Sequence, residues 1–226
     1  MRLAKPHLDL GLFTADLENH RRFWGETVGL RLDHELPFDE LWVQHRYDAH
    51  ASVIKVNHYR HPMPALPPSG YVGLTLARAE GPAWSGHAPS GESVRLVPPG
   101  TDGVERIGIT VRTPEPARMM DFYLGALEFE EVAPNVARCG DSLLWVEKGP
   151  GGSTTPDFIG PGFRYLTVQI FDADAEITAI VGRGGRLGRA AVNFGTVARY
   201  GFVLDPDGNW IEMSARASLT GIAPPR

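Results

Sequence analysis

The stretch "HLDLGLFT" (7–14) and the helix-forming "DLENHRRFWGETVGL" behind it return later in altered spelling, and this recurrence limits the fold more than any other feature. In the first copy, Leu8, Leu10 and Leu12 fall on one face of an extended chain and His7, Asp9 and Gly11 on the other. Leu17, Phe23, Trp24 and Val28 give the next segment the apolar side of an amphipathic helix, and short strands follow from "RLDHE", "ELWVQHRYD" and "ASVIKVNHY". The order repeats as "ERIGITVRT", "PEPARMMDFYLGAL", "EFEEVAP", "NVARCG" and "SLLWVEKG". It repeats again as "FRYLTVQIFD", "ADAEITAIVGRGG", "RAAVNF", "TVARYGFVLD" and, after the turn "PDGN", "WIEMS". Between the first and second full copies, "YVGLTLARAEG" and "ESVRLVPPG" read as a shortened unit that has nearly lost its helix.

A βαβββ unit cannot bury both faces of its sheet alone, so four of them must pair. The linkers "HPMPALPPSG" (61–70) and "GPGGSTTPDFIGPG" (149–162) are long, while the step near "PPGTDG" is short. We therefore expect unit one beside unit two and unit three beside unit four, with domains 1–100 and 101–226. The predicted class is α+β, with four units of which the second is degenerate.

A net charge of -5 and a pI near 5.9 provide no basic field for nucleic acid or anionic lipid, so small molecules are the expected partners. The start, "MRLAKPHLDLGLFTADLENH", is broken by charge too early for a signal peptide or a membrane span. Cys139 is the only cysteine, which rules out an intrachain disulfide and a thiolate metal cluster and fits a cytoplasmic setting. With no flanking His it also gives little ground for a nucleophile.

"FWGETVGL" and "FYLGAL" at the helix ends, with "GFVLDPDGNWIEMS" as the closing hairpin, resemble the vicinal oxygen chelate superfamily, also called the glyoxalase, bleomycin resistance and dioxygenase superfamily. The resemblance covers nearly the whole chain and is weakest in the second unit. It implies paired units whose curved, cup-like mixed sheets surround a divalent metal chelated by two adjacent substrate oxygens. It also implies metal ligands at the start of each opening strand and in each closing strand. Carried over, these positions are His7, Tyr71, Arg106 and Tyr165, then Lys55, Arg95, Glu147 and Glu212. Only His7, Glu147 and Glu212 are ordinary ligands.

All eight histidines lie at or before residue 87, so units three and four cannot build a two-His-one-carboxylate iron site on their own. If three pairs with four, Glu212 meets Arg106, Glu147 and Tyr165, and a guanidinium replaces the cation. If one pairs with four, Glu212 meets His7, Tyr165 and Lys55, where an ion could be held weakly against the lysine charge. His7, Asp9, Lys55 and Asn57 share a face by the period of two, so a polar cup in the first unit is also expected. His45, His50, His58 and His61 read as solvated surface residues, and Trp24, Phe122 and Tyr123 as core. "GRGGRLGR" (182–189) follows a helix and lacks the Lys-Ser/Thr of a phosphate loop, so it reads as a helix stop.

The resemblance thus implies a small-molecule enzyme of the glyoxalase or dioxygenase type, a lyase, isomerase or ring-cleaving oxidoreductase, with a homodimer allowed. Glu212, Tyr165 and His7 would be catalytic, while Arg106, Glu147, Lys55 and Asn57 would bind substrate. His7, Glu212 and Glu147 would hold one divalent ion, Fe, Mn, Zn or Ni. The alternative is a metal-free protein of the same fold that sequesters a small molecule.

Overall fold

The computed structural model describes residues 1–38 and 40–225. Unit one contributes β1 (Asp9–Thr14), α1 (Leu17–Arg22), β2 (Arg31–Phe38), β3 (Trp42–Ala49) and β4 (Ser52–Tyr59). Unit two keeps β5 (Tyr71–Ala77), β6 (Trp84–His87) and β7 (Ser93–Val97), with no helix between them. Unit three adds β8 (Ile107–Thr113), α2 (Pro116–Asp121), β9 (Glu130–Ala133), β10 (Val136–Cys139) and β11 (Ser142–Lys148). Unit four adds β12 (Gly162–Gln169), α3 (Ala173–Gly182), β13 (Arg186–Phe194), β14 (Ala198–Leu204) and β15 (Trp210–Arg216), before a short α4 (Ala217–Thr220).

Local chemistry sets the helix ends. Asp16 and Asp172 cap α1 and α3 by accepting from the amides of Asn19 and Ala175, while α2 begins on Pro116, whose missing N–H costs nothing there. In units one and three the α-helix lasts six residues and then widens into a π-turn, Phe23–Thr27 and Phe122–Ala126, so the expected run to Leu30 is shorter than predicted. The amides of Val28 and Leu127 reach back five residues to the carbonyls of Phe23 and Phe122. The wider turn seats both members of each aromatic pair, Phe23 with Trp24 and Phe122 with Tyr123, in the core.

The strands form two sheets, and their order corrects the expected pairing. The eight-stranded sheet runs β13-β14-β15-β12-β1-β4-β3-β2, uniting units one and four. The seven-stranded sheet runs β6-β7-β5-β8-β11-β10-β9, uniting units two and three. In each, two opening strands meet antiparallel at the centre, β1 with β12 and β5 with β8, and each opening strand is flanked by its own parallel closing strand. The reason lies in the linkers. The short step joins neighbours within one sheet, whereas the long linkers cross between sheets and lie side by side. Ser69 Oγ donates to the Phe163 carbonyl, Arg164 donates to the Pro67 carbonyl, and Asn209 accepts from the amide of Gly70. A cut at residue 101 would divide the second sheet.

One apolar cluster joins both sheets and the helices, with Leu8, Leu10, Leu12 and Trp24 fully buried beside Leu74, Ile109, Leu166 and Ile211. The other face of β1, expected to be polar, is buried as well: Asp9 and Phe13 are fully covered. That face lines the cup of the larger sheet.

Candidate functional site in the cup of units one and four

Four strands set the floor of this cup. Asp9 on β1 pairs with Thr167 on β12, Thr167 pairs with Glu212 on β15, and Lys55 lies on β4, the strand parallel to β1. Lys55 Nζ donates to Glu212 Oε2 at 2.6 Å and to Thr167 Oγ1 at 2.6 Å, and Thr167 Oγ1 donates to the same carboxylate oxygen at 2.6 Å. The two charged side chains retain only 4% and 13% of their exposure. Burial pushes the Lys55 ammonium below its ordinary pKa, opposed by the attraction of Glu212 and Asp9. Burial alone would raise Asp9, but Lys5 and Lys55 hold it below the usual carboxylate range. Its oxygens are already committed to Lys5 Nζ, to the amide of Val53 and to Gln169 Nε2.

Tyr165 lies across the neighbouring strand. Its ring occupies the space over Gly11, where an added Cβ would come within 2.1 Å of Tyr165 Cζ. Its hydroxyl accepts from Asn57 Nδ2 at 3.2 Å and Gln44 Nε2 at 3.4 Å, and burial pushes its pKa well above 10, so it stays protonated. Beyond it, Phe13, Phe158, Phe202 and Trp210 fill one end of the cup with aromatic rings. Phe158 comes from the glycine-rich stretch that the sequence presents as a bare linker. At the other end the outermost strands nearly close the sheet on itself, Phe38 of β2 stacking on Phe194 of β13 at 4.3 Å between centroids. The free volume left between Lys55, Glu212, Arg46 and these rings is about 30 Å³, room for roughly two waters.

Lys55, Asn57, Tyr165 and Glu212 are therefore brought together, while the other carried-over residues lie elsewhere. His7 Nδ1 contacts Asp141 at 2.6 Å, and Arg106 Nε reaches the same carboxylate at 3.0 Å, so both serve a surface cluster linking units one and three. Glu147 stands on the other sheet and pairs with Arg112, both half exposed, in an open cavity of about 420 Å³ that also holds Arg95, Asp102 and Trp145. Tyr71 is buried, its hydroxyl donating to the Trp210 carbonyl. The cup itself uses Asp9 and Thr167, each two residues beyond the carried-over His7 and Tyr165 and on the same face by strand parity. Gln44 and Arg46 were missed as well, because nothing in their strand singles them out.

The donor set does not fit a divalent ion. Among the described residues no group of three or more His, Cys, Asp or Glu side chains is placed to hold one. At the cup's floor an ammonium already contacts the carboxylate and hydroxyl that would have to coordinate it. The Cys139 thiol offers nothing in exchange, since burial pushes it up to about 12.

Residues 105–213 match the model of the Glyoxalase/Bleomycin resistance protein/Dioxygenase superfamily. The match spans units three and four, from the start of β8 to β15. No curated protein matches the sequence. Among solved structures the chain is similar to glyoxalase I from Zea mays, with 14% identity, a TM-score of 0.69, and coverage of 94% of this chain and 92% of that one. A variant of the same maize enzyme gives 13% identity and a TM-score of 0.67, with coverage of 94% and 93%. A Bacillus subtilis protein assigned as a dioxygenase gives 11% and 0.65, with 94% and 85% covered. At such identities the likeness establishes the fold alone. The likeness in fold thus extends over units one and two, beyond the residues that match in sequence.

Proposed function

We propose that this chain is a metal-independent enzyme that moves a proton on a small substrate with two adjacent oxygens, in the cup of units one and four. The observation that carries the reading is the Lys55 ammonium, 2.6 Å from both Glu212 and Thr167. Glu212 removes the proton from a carbon beside a carbonyl, the electron pair moves onto the carbonyl oxygen, and the Lys55 ammonium stabilises the oxyanion. Glu212 then returns the proton to the former carbonyl carbon while the neighbouring hydroxyl becomes the new carbonyl, its proton passing to the oxyanion through Tyr165, whose phenol donates to one oxygen as it accepts from the other. Thr167 holds the carboxylate, while Asn57 and Gln44 fix the phenol. A cytoplasmic location is part of the proposal, supported by the single buried thiol; among the described residues no helix is long and apolar enough to cross a membrane.

The test is exchange of carbon-bound hydrogen for solvent deuterium in small 2-hydroxy carbonyl compounds, followed by proton NMR with the protein treated with EDTA. Exchange that survives the chelator and disappears in both Glu212→Gln and Lys55→Met is the expected result. Exchange that requires added Mn, Fe, Zn or Ni would sink it. Binding of such compounds without exchange would favour the second reading, a sequestering protein of the same fold, which the missing ligand set also supports.

A further inference from the structure

We propose that the ligand of this cup is a short 2-hydroxy carboxylate, its acid group received by Arg46 and Arg216 and its hydroxyl by Gln169. This deepens the reading above and rests on it for the reaction, though not for the binding. The cavity is lined by three cations, Lys55, Arg46 and Arg216, and by one carboxylate, Glu212. Arg46 stands directly across the β3–β4 ladder from Lys55, where like charges destabilise a strand pair unless an anion lies between or beside them. Glu212 Oε2 is taken up by Lys55 and Thr167, and Asp9 by Lys5; both carboxylates act on the guanidinium groups through space, but among the described residues neither forms an ion pair with Arg46 or Arg216. The excess charge in the cup is positive.

Two buried polar atoms say what else the ligand must carry. Arg46 is only 6% exposed, and while one of its terminal nitrogens donates to Gln44 Oε1, its Nε–H has no partner among the described residues. Gln169 is 3% exposed, and its Oε1 has no partner either. The amide cannot simply be turned over, because its Nε2 donates to Asp9 Oδ2, and a flip would set oxygen against carboxylate. A buried donor and a buried acceptor left open on two residues that line one cavity are each destabilising until something fills them. A carboxylate satisfies Arg46, and a hydroxyl on the adjacent carbon satisfies Gln169. Leu36, Phe38, Phe194 and Val197 line the remaining wall, which suits a short apolar tail. The Phe38–Phe194 stack must part to admit it, since the free volume is only about 30 Å³.

Calorimetric titration of the purified chain with lactate, propionate and lactamide tests each group separately. Lactate is expected to bind, with propionate and lactamide each about tenfold weaker, the loss of one hydrogen-bonded or charged partner. Arg46→Met should weaken lactate at least about tenfold, and Gln169→Leu should bring lactate down to the level of propionate. Should Arg46→Met fail to fold, Arg216→Gln, at a half-buried position, makes the same test. Lactamide binding as tightly as lactate, or lactate affinity unchanged in the arginine variants, overturns the assignment. The double variant Lys55→Met/Glu212→Gln separates the two proposals. Retained lactate binding there supports the anion site whatever becomes of proton exchange. Exchange in the unmodified chain on neutral compounds, with no binding of lactate, sinks the anion site and leaves the proton-transfer reading standing.

Discussion

The two cups are built to one plan and have reached opposite states. Each closing-strand pair offers one cation and one carboxylate: Lys55 and Glu212 in the larger sheet, Arg95 and Glu147 in the smaller. In the first the two charges meet across the cup at 2.6 Å and are nearly removed from water. In the second they turn away from each other, Arg95 to Asp102 and Glu147 to Arg112, with all four side chains at least 40% exposed. Closure makes the difference. The larger sheet curls until Phe38 and Phe194 touch, and Phe158 plugs its other end; the edge strands of the smaller sheet, β6 and β9, have four residues each. A charge pair acquires a large energetic role only when the surrounding sheet excludes water from it.

Breaking the buried pair should have the largest effect. Lys55→Met leaves Glu212 uncompensated, and chemical denaturation should show a loss of about 3–5 kcal/mol. Lys55→Met/Glu212→Gln should recover much of it, since a neutral pair removes the buried charge. Next comes the glycine under each ring. Gly11→Ala drives a Cβ to within 2.1 Å of the enclosed Tyr165 and should cost about 1–3 kcal/mol, whereas Gly108→Ala meets the half-exposed Trp145, whose ring has room to swing outward, and should cost less. Thermal unfolding of the two variants side by side measures that contrast.

Two titrating groups in the larger sheet's units should then pull stability in opposite directions. Burial raises Asp205 to about 7, so the folded chain keeps a proton that the unfolded chain loses above about 4, and its contribution falls as pH climbs from about 4 to about 7. Burial lowers His20, whose Nδ1 accepts from Trp24, to about 4, so its contribution falls as pH drops from 6.5 to about 4. Each slope is at most about 1.4 kcal/mol per pH unit, and in the native chain they offset. Melting temperatures of Asp205→Asn between pH 4 and 7 should rise with pH, since His20, together with His45 and His58, which burial lowers as well, is no longer opposed by Asp205. A flat profile in that variant would contradict the assignment. The smallest effect belongs to the open cup, where Glu147→Gln should shift stability by less than about 1 kcal/mol in the same denaturation assay.

Much of the fold was legible because each element has a local cause: the alternation of Leu8, Leu10 and Leu12, the caps at Asp16 and Asp172, the turn at Pro206–Asn209. Pairing was not, because it depends on where the linkers cross, and that is set by distant contacts such as Asn209 with Gly70 and Glu92 with the Phe163 amide. Glu212, Lys55, Asn57 and Tyr165 could be placed from their strands. Asp9 and Thr167 were within reach by strand parity, but anchoring on His7 and Tyr165 passed over them. Phe158, Arg46 and Gln169 act through burial and the absence of a partner, which no local pattern records.

The nested pairing of units also sets a schedule for synthesis. The smaller sheet joins neighbours in the chain, with Leu74 opposite Ile109, so it can assemble while the fourth unit is still being made. The larger sheet must wait, because Asp9 finds Thr167 only after most of the polypeptide exists, and β1 spends that interval without its central neighbour. Pulse-labelled hydrogen exchange during refolding should protect the amides of β5 and β8 before those of β1 and β12. The reverse order would show that the site-bearing sheet organises the chain rather than completing it.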